Sequence, residues 1–181
     1  MQLHGHDIGV CSWSLRKPDM AALVAAVKSL GLSHMQLALE PLVMLDDKRK
    51  HTELGHLRQS GLKLTSTMIN FPGEDYATIA RIHQTGGYLA DETWAVRKLL
   101  TIAAAKLSAE LGATQLMTHI GFVPHKGTGG YTTMLQRIRE IAAALDQHGQ
   151  TLLMETGQEK AAALREFIED LCATNISGVQ N

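Results

Sequence analysis

Gly31-Leu32-Ser33-His34-Met35-Gln36-Leu37, Gly61-Leu62-Lys63-Leu64-Thr65-Ser66 and Gly112-Ala113-Thr114-Gln115-Leu116-Met117 are three copies of one junction. In each, a glycine ends a stretch of helical period, and two or three residues later a buried strand begins. Upstream of these glycines the periodicity predicts helices over Pro18 to Leu30, within Asp46 to Ser60, and over Ala90 to Leu111. On the first of them, Met20, Leu23, Val24, Val27 and Leu30 form one stripe. Strands are predicted at 8–12, 34–39, 63–70, 114–120, 151–155 and 176–179, with further helices over Tyr131 to His148 and Ala161 to Ala173. Strands alternating with helices of this length specify a parallel α/β sheet with crossover connections.

Strand starts are separated by 26, 29, 51, 37 and 25 residues. The long interval holds Phe71-Pro72-Gly73-Glu74-Asp75-Tyr76 and Gly86-Gly87, and predicts an excursion from Phe71 to Ala90 that serves as a lid or an interface element. An open doubly wound sheet and a (β/α)8 barrel both fit the repeat. A dinucleotide binder carries Gly-x-Gly-x-x-Gly directly after its first strand. Here that position reads Ser12-Trp13-Ser14-Leu15-Arg16, and the later Gly127-Thr128-Gly129-Gly130 lacks the Lys-Ser/Thr pair of a P-loop. The pattern favours the barrel.

Composition excludes several classes. The 181 residues are 45% hydrophobic and 19% charged, enough to bury a core. A net charge of −1 and 4% aromatic residues give neither a nucleic-acid footprint nor a base-stacking platform. Cys11 and Cys172 form no disulfide framework. The start of the chain has no signal-peptide pattern, and the longest apolar run, Ala21 to Val27, is too short to span a bilayer. These features predict a single cytoplasmic domain over residues 1–181, without nucleic-acid or membrane partners.

In such folds the chemistry gathers where strands run into helices. Those positions hold Trp13, Glu40, Asn70, His119 and Glu155. Glu155 closes Leu152-Leu153-Met154, and a carboxylate at the rim of an apolar strand is a metal ligand, a general base, or an N-cap for the next helix. His119 is either a hydrogen-bonded core residue or a group that meets a substrate hydroxyl. Glu40 reads equally as a loop carboxylate before Pro41, and Asn70 as the residue that satisfies the turn into Phe71-Pro72. His4-Gly5-His6 precedes the first strand and reads as solvated terminus.

The stretches Gly9 to Leu15, Met68 to Tyr76, Thr118-His119-Ile120-Gly121-Phe122-Val123-Pro124 and Met154-Glu155-Thr156-Gly157-Gln158-Glu159 together resemble the sugar phosphate isomerase/epimerase family of xylose-isomerase-like TIM barrels. The resemblance implies a (β/α)8 barrel that binds one divalent cation (Mn, Mg, Co or Zn) through a Glu, an Asp, a His and a Glu ending strands five to eight. Glu155 matches the first ligand and also the catalytic base, and His119 and Glu159 resemble positions of the substrate pocket; Trp13, Glu40 and Asn70, read from their strand ends, are expected to bind substrate with them. The implied reaction is isomerisation or epimerisation of a small sugar or sugar phosphate by proton transfer through an enediolate. The family continues past Gly178-Val179 with an Asp-bearing segment, whereas this chain reads Gln180-Asn181. The expectation is therefore a TIM-type barrel truncated after about five and a half βα units, catalytically incomplete, with metal weakly held or absent. The alternative is a non-catalytic barrel fragment that folds by oligomerising and at most binds a ligand. Endonuclease IV-like chemistry, a third possibility within the superfamily, needs a histidine-rich zinc cluster and a basic groove that the composition does not offer. An unclosed barrel predicts a homo-oligomer paired through an open edge or the excursion, with Leu37, Met117 and Leu153 otherwise open to water.

Overall fold

The computed structural model describes residues 2–155, 157 and 159–179, with only the backbone of Val179. The chain forms two compact units, residues 1–68 and 69–181.

The first unit opens with an antiparallel hairpin, β1 (Gln2–Leu3) and β2 (His6–Asp7), turned through His4 and Gly5 at positive φ. The His4-Gly5-His6 segment is solvent-exposed, as expected, and forms the turn of this hairpin with its flank. Then follow β3 (Gly9–Cys11), a 3-10 turn (Ser12–Leu15), α1 (Met20–Ser29), β4 (His34–Ala38), α2 (Glu40–Val43), α3 (Asp47–Ser60) and β5 (Lys63–Met68). Strands β3, β4 and β5 are parallel neighbours in that order. Asp19 sets the start of α1 by accepting from the Ala22 N–H at 2.8 Å, so the helix begins two residues later than the periodicity predicts. Asp46 caps α3 in the same way through the Arg49 N–H, and Gly61 ends it in the left-handed conformation at φ 72°.

Alternation along β4 decides what this unit buries. Met35 and Leu37 are 0% and 1% exposed, whereas Gln36 points to the other face, accepting from the Cys11 Sγ and donating to the Ser66 Oγ at 2.9 Å. Leu37 is thus covered, sharing an apolar wall with Leu23 and Leu42. This corrects the expectation that it lies open to water: its face packs under the helices of its own unit.

The second unit comprises α4 (Ile79–Thr85), α5 (Asp91–Glu110), β6 (Gln115–His119), α6 (Gly129–Asp146), β7 (Thr151–Glu155), α7 (Ala161–Leu171) and β8 (Ile176–Val179). Strands β6, β7 and β8 are parallel and adjacent. Met134, Ile138, Ile141 and Leu145 on α6 and Leu152 and Met154 on β7 are all fully buried and form the apolar centre. Gln150 is 1% exposed and donates to the carbonyls of Ala105 and Ala113, joining the end of α5 to the start of the strands. Met117, expected open, is buried at 8%, and Leu153 is half-buried. Among the described residues no helix is long and apolar enough to cross a membrane.

Candidate functional site

In the second unit β6 and β7 run in register, Met117 opposite Leu153 and His119 opposite Glu155. With a side-chain period of two, His119 and Glu155 leave the same face, on strands about 4.8 Å apart. The two residues singled out at these strand ends therefore stand side by side. The His119 ring lies edge-on to Phe122 at 6.0 Å and tilted against Tyr76 at 6.3 Å. Its Nδ1 is buried and has no hydrogen-bond partner among the described residues. An imidazole left unsatisfied at a strand end is a group available to a ligand.

Glu159 closes the arrangement from the following loop. Its Oε1 accepts from the Val123 N–H at 2.8 Å and its Oε2 from the Gly157 N–H at 2.9 Å, so one carboxylate joins the exits of β6 and β7. Thr156 and Gln158, in the same stretch, lie outside the described residues. A cavity of about 660 Å³ opens beside Glu159, lined by His83, Phe122, His125, Lys126 and Tyr131 among others.

The excursion after β5 comes back to this end of the strands. Ile69 donates its N–H to the Met117 carbonyl, and the exposed Asn70 leads out. Glu74 then ties the two ends of the excursion together: its Oε2 accepts from the Phe71 N–H at 3.1 Å and its Oε1 from the Gly87 N–H at 2.9 Å. Arg97, 3% exposed on α5, donates to the carbonyls of Thr85 and Gly87 and lies over the Phe71 ring at 5.1 Å. Arg137 on α6 donates to the carbonyls of Tyr88 and Leu89 and to Asp91. Tyr88 rejoins the strand end through its N–H on the Ile120 carbonyl, 3.0 Å. The excursion thus folds over the strand ends that carry His119 and Glu155, as a covering element would. Sequence patterning identified its length but not Glu74, Tyr76, Arg97 or Arg137. Only Glu74 and Tyr76 lay in a stretch already singled out; no motif or spacing sets the arginines apart.

Trp13 and Glu40 belong to the first unit. Trp13 is 60% exposed on the 3-10 turn and walls a cavity of about 370 Å³ with Arg16, Leu37 and Pro41. Glu40, expected at a strand end, is the first residue of the one-turn α2. The strand ends at Ala38, Leu39 already has helical backbone angles (φ −98°, ψ −20°), and Pro41 is accommodated in the first turn of a helix, where it lacks no needed donor.

Desolvation, followed by the charges of Glu74 and Glu155, raises the Tyr76 phenol above its ordinary value, although the residue as a whole is 61% exposed. Burial also raises Tyr88, and burial with the hydrogen bond to Asp170 pushes Tyr131 up to about 12. All three tyrosines of the chain are therefore held neutral. A raised folded value means that stability is complete below the unfolded phenol's pKa of about 10 and is lost as pH rises from there through 12. Absorbance at 295 nm is expected to stay flat through pH 10 and to rise only with unfolding. A reversible one-tyrosine step near pH 10 in folded protein would contradict this.

Among the described residues no three His, Cys, Asp or Glu side chains form a metal-holding group. Divalent cations of the kind implied take four to eight ligands.

No protein-family model matches the chain, and no curated protein matches it. Solved structures do. A xylose isomerase domain protein from Planctomyces limnophilus is 25% identical, with 96% of this chain and 62% of that chain covered and a TM-score of 0.83. A xylose isomerase-like TIM barrel protein from Mycobacterium smegmatis, solved with magnesium, is 15% identical over 97% of this chain and 64% of that chain, at a TM-score of 0.72. A D-psicose 3-epimerase solved in the presence of D-fructose is 14% identical over 97% and 63%, at 0.70. The chain spans under two thirds of the length of each.

Proposed function

We propose, from the premise that the chain has the α/β fold of the xylose isomerase-like TIM barrels, that it binds a small sugar at the strand ends of its second unit and acts on the carbon beside the carbonyl. The observation that carries this reading is the pair His119 and Glu155 on adjacent strands beneath Tyr76. Glu155 is the base: its carboxylate takes the proton from the carbon next to the carbonyl and leaves an enediolate. Tyr76, whose hydroxyl donates to the Glu74 Oε2 at a long 3.4 Å, turns that proton to the developing oxyanion, and His119 hydrogen-bonds a substrate hydroxyl. Asn70 and Glu159 would add hydrogen bonds to further hydroxyls. Returning the proton to the other face of the carbon requires a second acid. A bound divalent ion would polarise the carbonyl; the described residues favour weak capture, and calorimetry with Mn²⁺ is expected to give a Kd weaker than about 1 mM.

The short donor set also favours a second reading, sugar binding without turnover. Proton NMR of a ketohexose in D₂O, with Mn²⁺ or Mg²⁺ supplied, separates the two. Slow deuterium uptake beside the carbonyl, abolished in Glu155→Gln, supports the enzyme. Sugar-dependent shifts of the His119 ring without uptake support the binding module. If neither effect occurs, both readings fail.

A further inference from the structure

The outer face of α5 carries an apolar stripe that nothing in its own unit covers. Val96 is 60% exposed and Leu99 68%; Ala95 and Ala103 are exposed beside them, and Ile102 is half-buried. Glu92 and Lys106, both exposed, stand at the two ends. The positions 92, 95, 96, 99, 102, 103 and 106 repeat every seven residues, the seam of a helix that packs against another helix. The opposite face of α5, with Arg97, Thr101, Ala104, Ala105 and Ser108, is already buried.

The stripe reads the same from both ends. Turned about a two-fold axis through Leu99, residue 96 meets 102, residue 95 meets 103, and residue 92 meets 106. Val96 then faces Ile102, Ala95 faces Ala103, and Leu99 faces its own copy. Glu92 faces Lys106 of opposite charge, twice over. An isologous interface requires a patch that complements itself in this way. A partner of unrelated sequence imposes no such order. The alanines let the backbones approach, and the stripe from Glu92 to Lys106 offers about 21 Å of contact.

We propose that two copies of this chain associate through antiparallel pairing of α5 about Leu99. A single helix seam buries less than the roughly 800 Å² per partner of a standard interface, so the dimer is a weak, concentration-dependent one. This surface differs from the open strand edge and from the excursion, and it does not depend on the sugar-binding reading.

Sedimentation equilibrium of the full chain across 1–500 μM, values chosen as roughly the span of weak dimers, tests the proposal. The wild type is expected to dimerise reversibly within it. Leu99→Lys sets like charges against each other at the axis and is expected to weaken the dimer at least tenfold, with the circular dichroism unchanged because Leu99 is exposed. Glu92→Lys alone is expected to weaken it several-fold, and Glu92→Lys with Lys106→Glu to restore it, because the swap rebuilds both ion pairs. A wild type that stays monomeric throughout overturns the proposal. So does a dimer indifferent to Leu99→Lys, which would place association on another surface, or a double swap no better than the single change.

Discussion

Gly87→Ala is expected to be the most damaging single-methyl change in the chain. A Cβ at this position would stand 2.1 Å from both the Gly121 nitrogen and the Ile120 carbonyl oxygen, on a backbone with φ +67°. The clash is with backbone on both sides, so no side chain can swing away. The Tyr88–Ile120 hydrogen bond and the Glu74–Gly87 bond are expected to be lost with it. The cost is about 3 kcal/mol or more, a fall in Tm of about 6–12 °C for a chain of this size. Gly127→Ala is the control: φ there is +87°, but nothing lies within 4 Å, and only the backbone preference is lost, about 1 kcal/mol. Equal melting shifts for the two variants would show that the contact with the strand end is not what holds the excursion.

The second large effect is expected at Arg97. Its guanidinium is buried, stacked on Phe71, and donates to two carbonyls of the excursion's return. Arg97→Met keeps the length and much of the packing but strands both carbonyls, which costs about 3–5 kcal/mol in all. Arg97→Lys is expected to recover part of this, since one ammonium cannot span two acceptors as the planar fork does. Urea midpoints give the magnitude, and hydrogen exchange locates it. Faster exchange confined to the amides of residues 85–89 is expected, with α6 and β7 unchanged. Uniform acceleration across the unit would mean that Arg97 supports the core rather than the excursion.

Local chemistry explains which elements the sequence showed. The strands Thr151–Glu155 and Ile176–Val179 begin and end where the apolar runs do, because Gly149 and the Asn175 turn leave no other register. The Gly61 cap could be read for the same reason: its causes lie within a few residues. Glu40 stands where β4 runs into a helix, as expected, but the one-turn helix it opens was not legible, because Pro41 can either stop a strand or open a helix. The seven residues of α4 were too few to show a period. Leu37 was assigned to the wrong face because alternation shows which residues share a face, not which face meets the helices.

At the candidate site, His119 and Glu155 could be read because each ends an apolar run. Tyr76 and Glu74 could not be placed, since their position depends on Gly87 fitting against Gly121, thirty-four residues along the chain. No local propensity encodes such a contact. The buried arginines pose the same difficulty in reverse: on a helical wheel they look solvated, and only the returning carbonyls make burial favourable.

The clamp made by Glu74 reaches beyond stability. Because Phe71 and Gly87 are held to one carboxylate, and Asp75 is held to the Thr85 hydroxyl at 2.9 Å, the chain between 76 and 84 is a segment with fixed ends. Lengthening a segment whose ends are already fixed costs little, about 0.6 kcal/mol for each doubling. The residues that face His119 and Glu155 from this side can therefore be exchanged, added or removed while the strands below keep their register. A lineage built on this plan is free to change what its site admits by rewriting the short link before α4, and a library of insertions between Ala77 and Thr78 is a practical place to begin.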